Sequence, residues 1–296
     1  MIQKVAIVTG ANGGLGYGIV NGLCKRGVKK VYLTARDEKR GLNAVDKLNR
    51  ENYNTVFHQL DITDEVSVKK FADYIKIERI TIDILVNNAA VICKNLTVID
   101  YEDAKRVINV NFYGVLNVEK YLYRFLNNDA RVINICSDTG HLSQLRNKFW
   151  VEKLSKEDLT FNDIEEFITW FLNSVKSNTL RMEDFRWKYY LPYAISKMAL
   201  CAYTRVQQKH IGRGISINSL HPGFVKTPMT KGTGMLSPEE ASDAPIFLAL
   251  DADQSVKGKY IWFDKSEKDW ANTSLVFDYV DLNAFNEFLN KMNNKQ

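Results

Sequence analysis

The 296-residue chain contains little that would assign it to a membrane, an oxidising compartment or a nucleic acid. No apolar run approaches the ~18–20 residues that a bilayer requires. Cys24, Cys93, Cys136 and Cys201 are scattered, without the paired spacing of zinc or redox sites. Each reads as a small buried hydrophobe, and no metal is expected. From Met1 the chain passes directly into the strand-like run Lys4 to Thr9, which leaves no room for a secretory leader. The cytosol is therefore the expected compartment. The net charge is +5, but the basic residues are spread out, with short pairs such as Lys29-Lys30 and Lys69-Lys70 and no long cluster. No nucleic-acid signature accompanies them, and a polyanionic small molecule suffices to explain the excess. Internal repeats and low-complexity linkers are also lacking.

What is present is alternation. Apolar runs at Val5–Val8, Val31–Leu33, Val56–Leu60, Ile82–Val86 and Val132–Ile135 read as buried strands separated by helical stretches, such as the one over 64–77. That order predicts an α/β fold, a doubly wound parallel sheet with ligands at the carboxyl ends of its strands. From about 140 to 188 the rhythm breaks. Thr160 and Asp163 form a capping-box pattern ahead of Ile164, Phe167, Ile168, Phe171, Leu172 and Val175, which predicts a helical insertion. A helix over Tyr193–His210, a strand at Ile215–Leu220, a helix around Pro238–Leu250 and a strand at Lys259–Phe263 follow. An amphipathic tail helix, about 281–293, is expected to dock on the body. The whole chain reads as one catalytic domain.

Thr9-Gly-Ala-Asn-Gly-Gly-Leu-Gly16 lies between the first strand and a helix. Gly10 permits a tight turn, while Gly14 and Gly16 allow close approach of a pyrophosphate to the helix N-terminus. No Gly-Lys-Ser/Thr follows, which argues against a phosphate-hydrolysing loop. At the end of the second strand the chain reads Ala35-Arg36, where an NAD site carries an acidic residue for the ribose 2′-hydroxyl. Arg36 is able to pair with a 2′-phosphate, so NADP(H) is the expected cofactor, although Asp37 stands one residue away.

Tyr193 and Lys197 stand one helical turn apart. A cation beside a phenol favours the phenolate and lowers a pKa that is ordinarily ~10, which makes Tyr193 a candidate acid/base. Tyr101 and Lys105 have the same spacing, so spacing alone does not choose between them. Chain order does. Thr9–Gly16, Asp61, Asn87-Asn88-Ala89-Ala90, Asn111, Ser137, Tyr193/Lys197 and Pro222-Gly223 occur in the order of the short-chain dehydrogenase/reductase family, which the chain resembles across most of positions 4–270. The long stretch between Ser137 and Tyr193 resembles the monomeric carbonyl reductases and the plant menthone and salutaridine reductases.

The resemblance implies a Rossmann-like fold and a set of roles. Gly10, Asn12, Gly14, Leu15 and Gly16 contact the cofactor, with Asp61 and Ile62 at the adenine and Asn88 and Ala89 after the fourth strand. Ala90 departs from the usual glycine. Pro222, Val225 and Thr227 hold the nicotinamide end, with Thr227 meeting its carboxamide or a phosphate. Ser137 orients a substrate carbonyl, Tyr193 protonates the developing alkoxide, Lys197 holds the nicotinamide ribose, and Asn111 supports a water relay to Lys197. Phe224, Met229 and Met235 are the first candidates for a substrate wall, followed by Phe149, Trp150 and Trp187. These roles imply NADPH-dependent reduction of apolar aldehydes, ketones or quinones. The alternatives are an NADP-dependent dehydrogenase of a secondary alcohol and a catalytically silent cofactor sensor or scaffold. A monomer is expected by analogy, because the insertion covers the usual dimer face.

Overall fold

A computed structural model describes residues 2–275 and 282–293. The first half runs β1 (Ile2–Val8), α1 (Gly14–Lys25), β2 (Val28–Ala35), α2 (Glu38–Asn49), β3 (Thr55–Gln59), α3 (Glu65–Ile77) and β4 (Ile82–Asn87). Next come α4 (Tyr101–Ile108), a π-helical turn over Asn109–Tyr113, α5 (Gly114–Leu122) and β5 (Leu126–Ile135). The second half adds α6 (Lys148–Ser155), α7 (Phe161–Lys176), α8 (Leu191–His210), β6 (Ser216–Leu220), α9 (Pro238–Ala241), α10 (Asp243–Leu250), β7 (Tyr260–Ile261), β8 (Glu267–Lys268) and α11 (Leu282–Asn293).

The strands form one sheet in the order β3-β2-β1-β4-β5-β6-β7-β8, parallel except for β8. Strand order reverses between β1 and β4, and a reversal of this kind opens a crevice at the carboxyl ends. The period-2 pleat sorts the apolar runs onto two faces. Ala6, Val8, Ile84, Val86, Ile133 and Ile135 join a core with α1 and α10 residues, while Ile7, Leu85 and Val132 face a second core with α3 residues. Near-continuous apolar strands follow from having both faces covered.

The insertion is helical, as its pattern predicts. The Thr160 hydroxyl accepts from the Asp163 backbone N–H, and the Asp163 carboxylate accepts from Thr160 N, which closes the capping box. α7 then buries Ile164, Phe167, Ile168 and Phe171, and it packs against α4 and α8. β7 is shorter than the expected Lys259–Phe263, because Trp262 N bonds Ser266 O and Lys265 adopts a φ of 69°, which turns the chain into β8. The helix expected around Pro238–Leu250 divides into α9 and α10 at Ser242. On α11, Phe285 and Phe288 are buried with Leu96 against Trp187, Tyr190 and Phe224. Position 281, where the expected tail helix starts, lies outside the described residues.

Candidate active site

A cavity of about 590 Å³ runs along the carboxyl ends of the strands, from Arg36 at one end to Tyr193 and Lys197 at the other. At the first end Gly10 has a φ of +62°, and a Cβ there would come within 2.7 Å of the Ala89 Cα. Only glycine makes this turn without strain. Gly16 lines the cavity, and its missing Cβ also leaves room for the Asn88 amide, 2.4 Å from where that carbon would stand. The Asn88 amide donates to Thr9 O at 2.8 Å, so it ties β4 to the glycine loop. Ala90 is not at positive φ, so its departure from glycine introduces no backbone strain.

The N-terminus of α1 has no side-chain cap and no acidic residue in its first turn, and a Cβ at Gly13 would meet nothing within 4 Å. These open N–H groups line the cavity, and a diphosphate fits them in charge and in donor geometry. Thr227 stands over this loop, its Cγ2 3.2 Å from the Cβ position of Gly14. Asn12, Leu15, Ile62, Pro222 and Val225 also line the cavity. Asp61 lines it too, with Oδ1 accepting from the Thr63 N–H and hydroxyl; the N-cap of α3 is Asp64. Asp37 is the N-cap of α2 and accepts from Arg40 N at 2.9 Å. Arg40, overlooked in the sequence, lines the cavity beside Arg36. Arg40 lies in the first turn of α2, just past the Asp37 cap that follows Arg36.

At the other end, α8 begins at Leu191 after Tyr190, which is left-handed at φ 37° and ψ 46°. Tyr193 and Lys197 share one face of α8, and the ammonium lies 5.7 Å from the phenol ring centroid. Lys197 is buried and donates to Ile135 O at 2.7 Å, and burial lowers its pKa. The expected lowering of the Tyr193 pKa does not occur. Burial, followed by the Asp138 carboxylate and Cys136, pushes the phenol above its ordinary value, while Ser137 acts in the opposite sense. Without a further cation beside it, Tyr193 holds its proton. Ser137 lines the cavity after β5, and its hydroxyl donates to Asp138 Oδ1 at 2.9 Å.

Asn111 does not line the cavity with its neighbours. It is fully buried, its amide donating to Val91 O and Ser196 Oγ at 3.0 Å each and its Oδ1 accepting from Val91 N. That side chain ties the loop after β4 to α8, so a relay to Lys197 has only the backbone carbonyl to use. Asn111 sits within the π-helical turn, a departure from α-helical bonding that recurs at functional sites. The substrate wall is also revised. Phe224, Met229 and Trp187 line the cavity, joined by Tyr190, Phe285 and Phe288. Met235 is 39% exposed and turned away, because Gly234 (φ +134°) rotates the chain outward there. Phe149 is exposed, and Trp150 packs between Phe167 and Trp170 inside the insertion. Tyr101 and Lys105 lie on α4 away from the cavity, with Lys176 over the Tyr101 ring.

Residues 4–148 match the family described as short chain dehydrogenase. The chain is 34% identical over 273 residues to (+)-neomenthol dehydrogenase of Arabidopsis thaliana, covering 83% of this chain and 91% of that one. The chain belongs to the short-chain dehydrogenase family. Salutaridine reductase of Papaver bracteatum is 34% identical over 301 residues, 90% of this chain and 95% of its own. Carbonyl reductase [NADPH] 1 of Bos taurus is 33% identical over 258 residues, 83% and 90% of the two chains. Among solved structures, salutaridine reductase from Papaver somniferum superposes with a TM-score of 0.80 at 31% identity, over 87% of this chain and 99% of that one. The protein is thus an oxidoreductase of the short-chain type, and no described helix is long and apolar enough to cross a membrane.

Proposed function

We propose that this short-chain oxidoreductase reduces apolar aldehydes, ketones or quinones with NADPH, using Tyr193 as general acid. One observation carries the reading: Tyr193 and the buried Lys197 and Ser137 share a single cavity with an uncapped helix N-terminus and two guanidiniums. When bound, NADPH supplies the hydride. Gly10, Gly14 and the first turn of α1 would hold its diphosphate, and Arg36 and Arg40 would meet its 2′-phosphate. Pro222, Val225 and Thr227, which also line the cavity, would complete its site.

The chemistry of the chain's own residues is proton transfer. Ser137 turns its hydroxyl to the substrate carbonyl oxygen, and Tyr193 gives that oxygen its proton as hydride reaches the carbon. The alcohol leaves, and Tyr193 is reprotonated from solvent. Lys197 offsets the charge left on the phenolate. The aromatic wall of Trp187, Phe224, Phe285 and Phe288 matches apolar substrates. The names of the relatives, (+)-neomenthol dehydrogenase, salutaridine reductase and carbonyl reductase [NADPH] 1, support this reading. We place the protein in the cytosol as a monomer, with the insertion's α7 packed over α4 and α8.

The test is oxidation of NADPH and NADH against a panel of aldehydes, ketones and quinones, with Tyr193→Phe alongside. Tyr193→Phe is expected to lose about 10²–10⁴-fold in kcat while NADPH still binds. Unchanged turnover in that variant refutes the assignment.

A further inference from the structure

Three carboxylates line the cavity among the described residues: Asp37 and Asp61 at the Arg36 end, and Asp138 alone beside Tyr193. Asp138 is firmly held. Its Oδ1 accepts from the Ser137 hydroxyl and from Thr139 N, both at 2.9 Å, and its own N–H donates to His221 Nδ1 at 3.0 Å. The loop that carries it is pinned from behind, by the Tyr260 hydroxyl on Ser137 O and the Trp270 indole on Gly140 O. A carboxylate in this place does two things. It takes the proton of the Ser137 hydroxyl as its hydrogen-bond partner, and it sets a negative charge against formation of a phenolate at Tyr193.

The groups that face the phenol come from every neighbouring element. Lys197 lies on its own helix, Cys136 and Asp138 follow β5, Cys93 follows β4, Tyr190 precedes α8, and Tyr260 lies on β7 with its phenol pushed up by burial. His221, after β6, stands behind Asp138 with its Nδ1 3.8 Å from Oδ1, and burial pushes its imidazole down, so it is neutral and accepts from Asp138 N. Cys93 and Tyr190 are both pushed up, chiefly by burial, and are neutral as well. The Asp138 carboxylate and the Lys197 ammonium are left as the charged pair that sets the field at Tyr193. Lys197 donates to Ile135 O, while the Asp138 carboxylate is held by the Ser137 hydroxyl and Thr139 N.

We propose that Asp138 is a positioning residue that keeps Tyr193 in its proton-carrying form, and so commits the site to carbonyl reduction and delays alcohol oxidation to alkaline pH. The inference rests on the carbonyl-reductase reading. In reduction Tyr193 gives its proton to the carbonyl oxygen as hydride reaches the carbon. In oxidation the phenolate must first exist, to take the alcohol proton as hydride leaves for NADP⁺. A nearby carboxylate assists the first and opposes the second.

The experiment compares the wild-type protein with Asp138→Asn, which keeps an acceptor for the Ser137 hydroxyl while removing the charge. The primary readout is the pH profile of kcat/KM for NADP⁺-dependent oxidation of an alcohol product of the panel. The midpoint of its rising limb is expected to move down by about one pH unit, a gain of about tenfold at pH 7. An independent readout is the tyrosine ¹³Cζ resonance of the NADP⁺-bound protein, assigned by its absence in Tyr193→Phe, whose titration midpoint should move in the same direction. A merely structural role changes stability or KM and leaves both midpoints in place. Coincident midpoints in the two proteins overturn the proposal. Asp138→Ser serves as the second variant if Asp138→Asn does not fold. A wild-type protein that oxidises NADPH with no carbonyl defeats the reductase reading instead, and the resonance midpoint then still decides the role of Asp138.

Discussion

Removing the Arg36 guanidinium should erode discrimination between NADPH and NADH without weakening the binding of NADH. Arg36 follows the last residue of β2, and Arg40 stands one turn along α2, both lining the same end of the cavity. Asp37, the residue best placed to favour NADH, is occupied as the N-cap of α2. A charge-assisted hydrogen bond to phosphate contributes about 1.5–3 kcal/mol. Both guanidiniums are exposed, so the lower end applies, about tenfold in affinity for each. Arg36→Ala is therefore expected to weaken NADPH binding about tenfold, and Arg36→Ala/Arg40→Ala by less than about a hundredfold, because two residues on one phosphate are not independent. Isothermal titration with NADPH and with NADH, at low and at high salt, reads both quantities, and the NADPH preference should shrink as salt screens it. Equal losses for the two cofactors, or a wild-type preference for NADH, would falsify the assignment of the 2′-phosphate to this end.

Other consequences follow from burial. Phe288 is 2% exposed and joins α11 to Trp187 and Phe224, so Phe288→Ala removes about 3–5 kcal/mol of packing. That loss should fall on the docking of α11, seen as faster hydrogen exchange there and a higher KM for apolar carbonyls, with NADPH affinity unchanged; an unaltered KM sinks the claim that α11 forms the substrate wall. His141 is buried and pushed down to about 4, chiefly by desolvation. Its folded pKa lies below the ~6.5 of an unfolded histidine, so its contribution is complete above about 6.5 and is lost as pH falls towards 4. Between pH 7 and pH 5 the loss is on the order of 2 kcal/mol. Urea unfolding of the wild type and His141→Gln at both pH values should show the smaller loss in the variant; parallel losses contradict it.

The cofactor half of the cavity was largely legible in the sequence because it is local. The glycine loop, Arg36 and Asp61 each follow a strand directly, and in a doubly wound sheet every strand end points at the same crevice. The contacts not legible there are those whose partners are distant. Gly16 has the spacing of a phosphate contact, but the atom that needs its space belongs to Asn88, far along the chain. Asn111 has the position of a relay residue, but a π-helical turn invisible in the hydrophobic pattern takes its side chain to Val91 and Ser196.

The substrate half is a different problem, because its wall is assembled from segments that have no common period. Trp187 comes from the end of the insertion, Phe224 and Met229 from the loop after β6, and Phe285 and Phe288 from the tail. In sequence these look the same as Trp150 and Phe149, one of which is core and the other exposed. Helical spacing tells which residues are buried, and burial is shared by core and pocket alike. The same limit hid Asp138. A serine at a strand end can be assigned from the strand, but the direction of its hydroxyl depends on the next residue and on His221 behind it. That residue's charge then acts on a phenol on another element. In the proposed reading Tyr193 and Lys197 carry the reaction, and the charge that acts on the phenol comes from a third residue with no motif of its own.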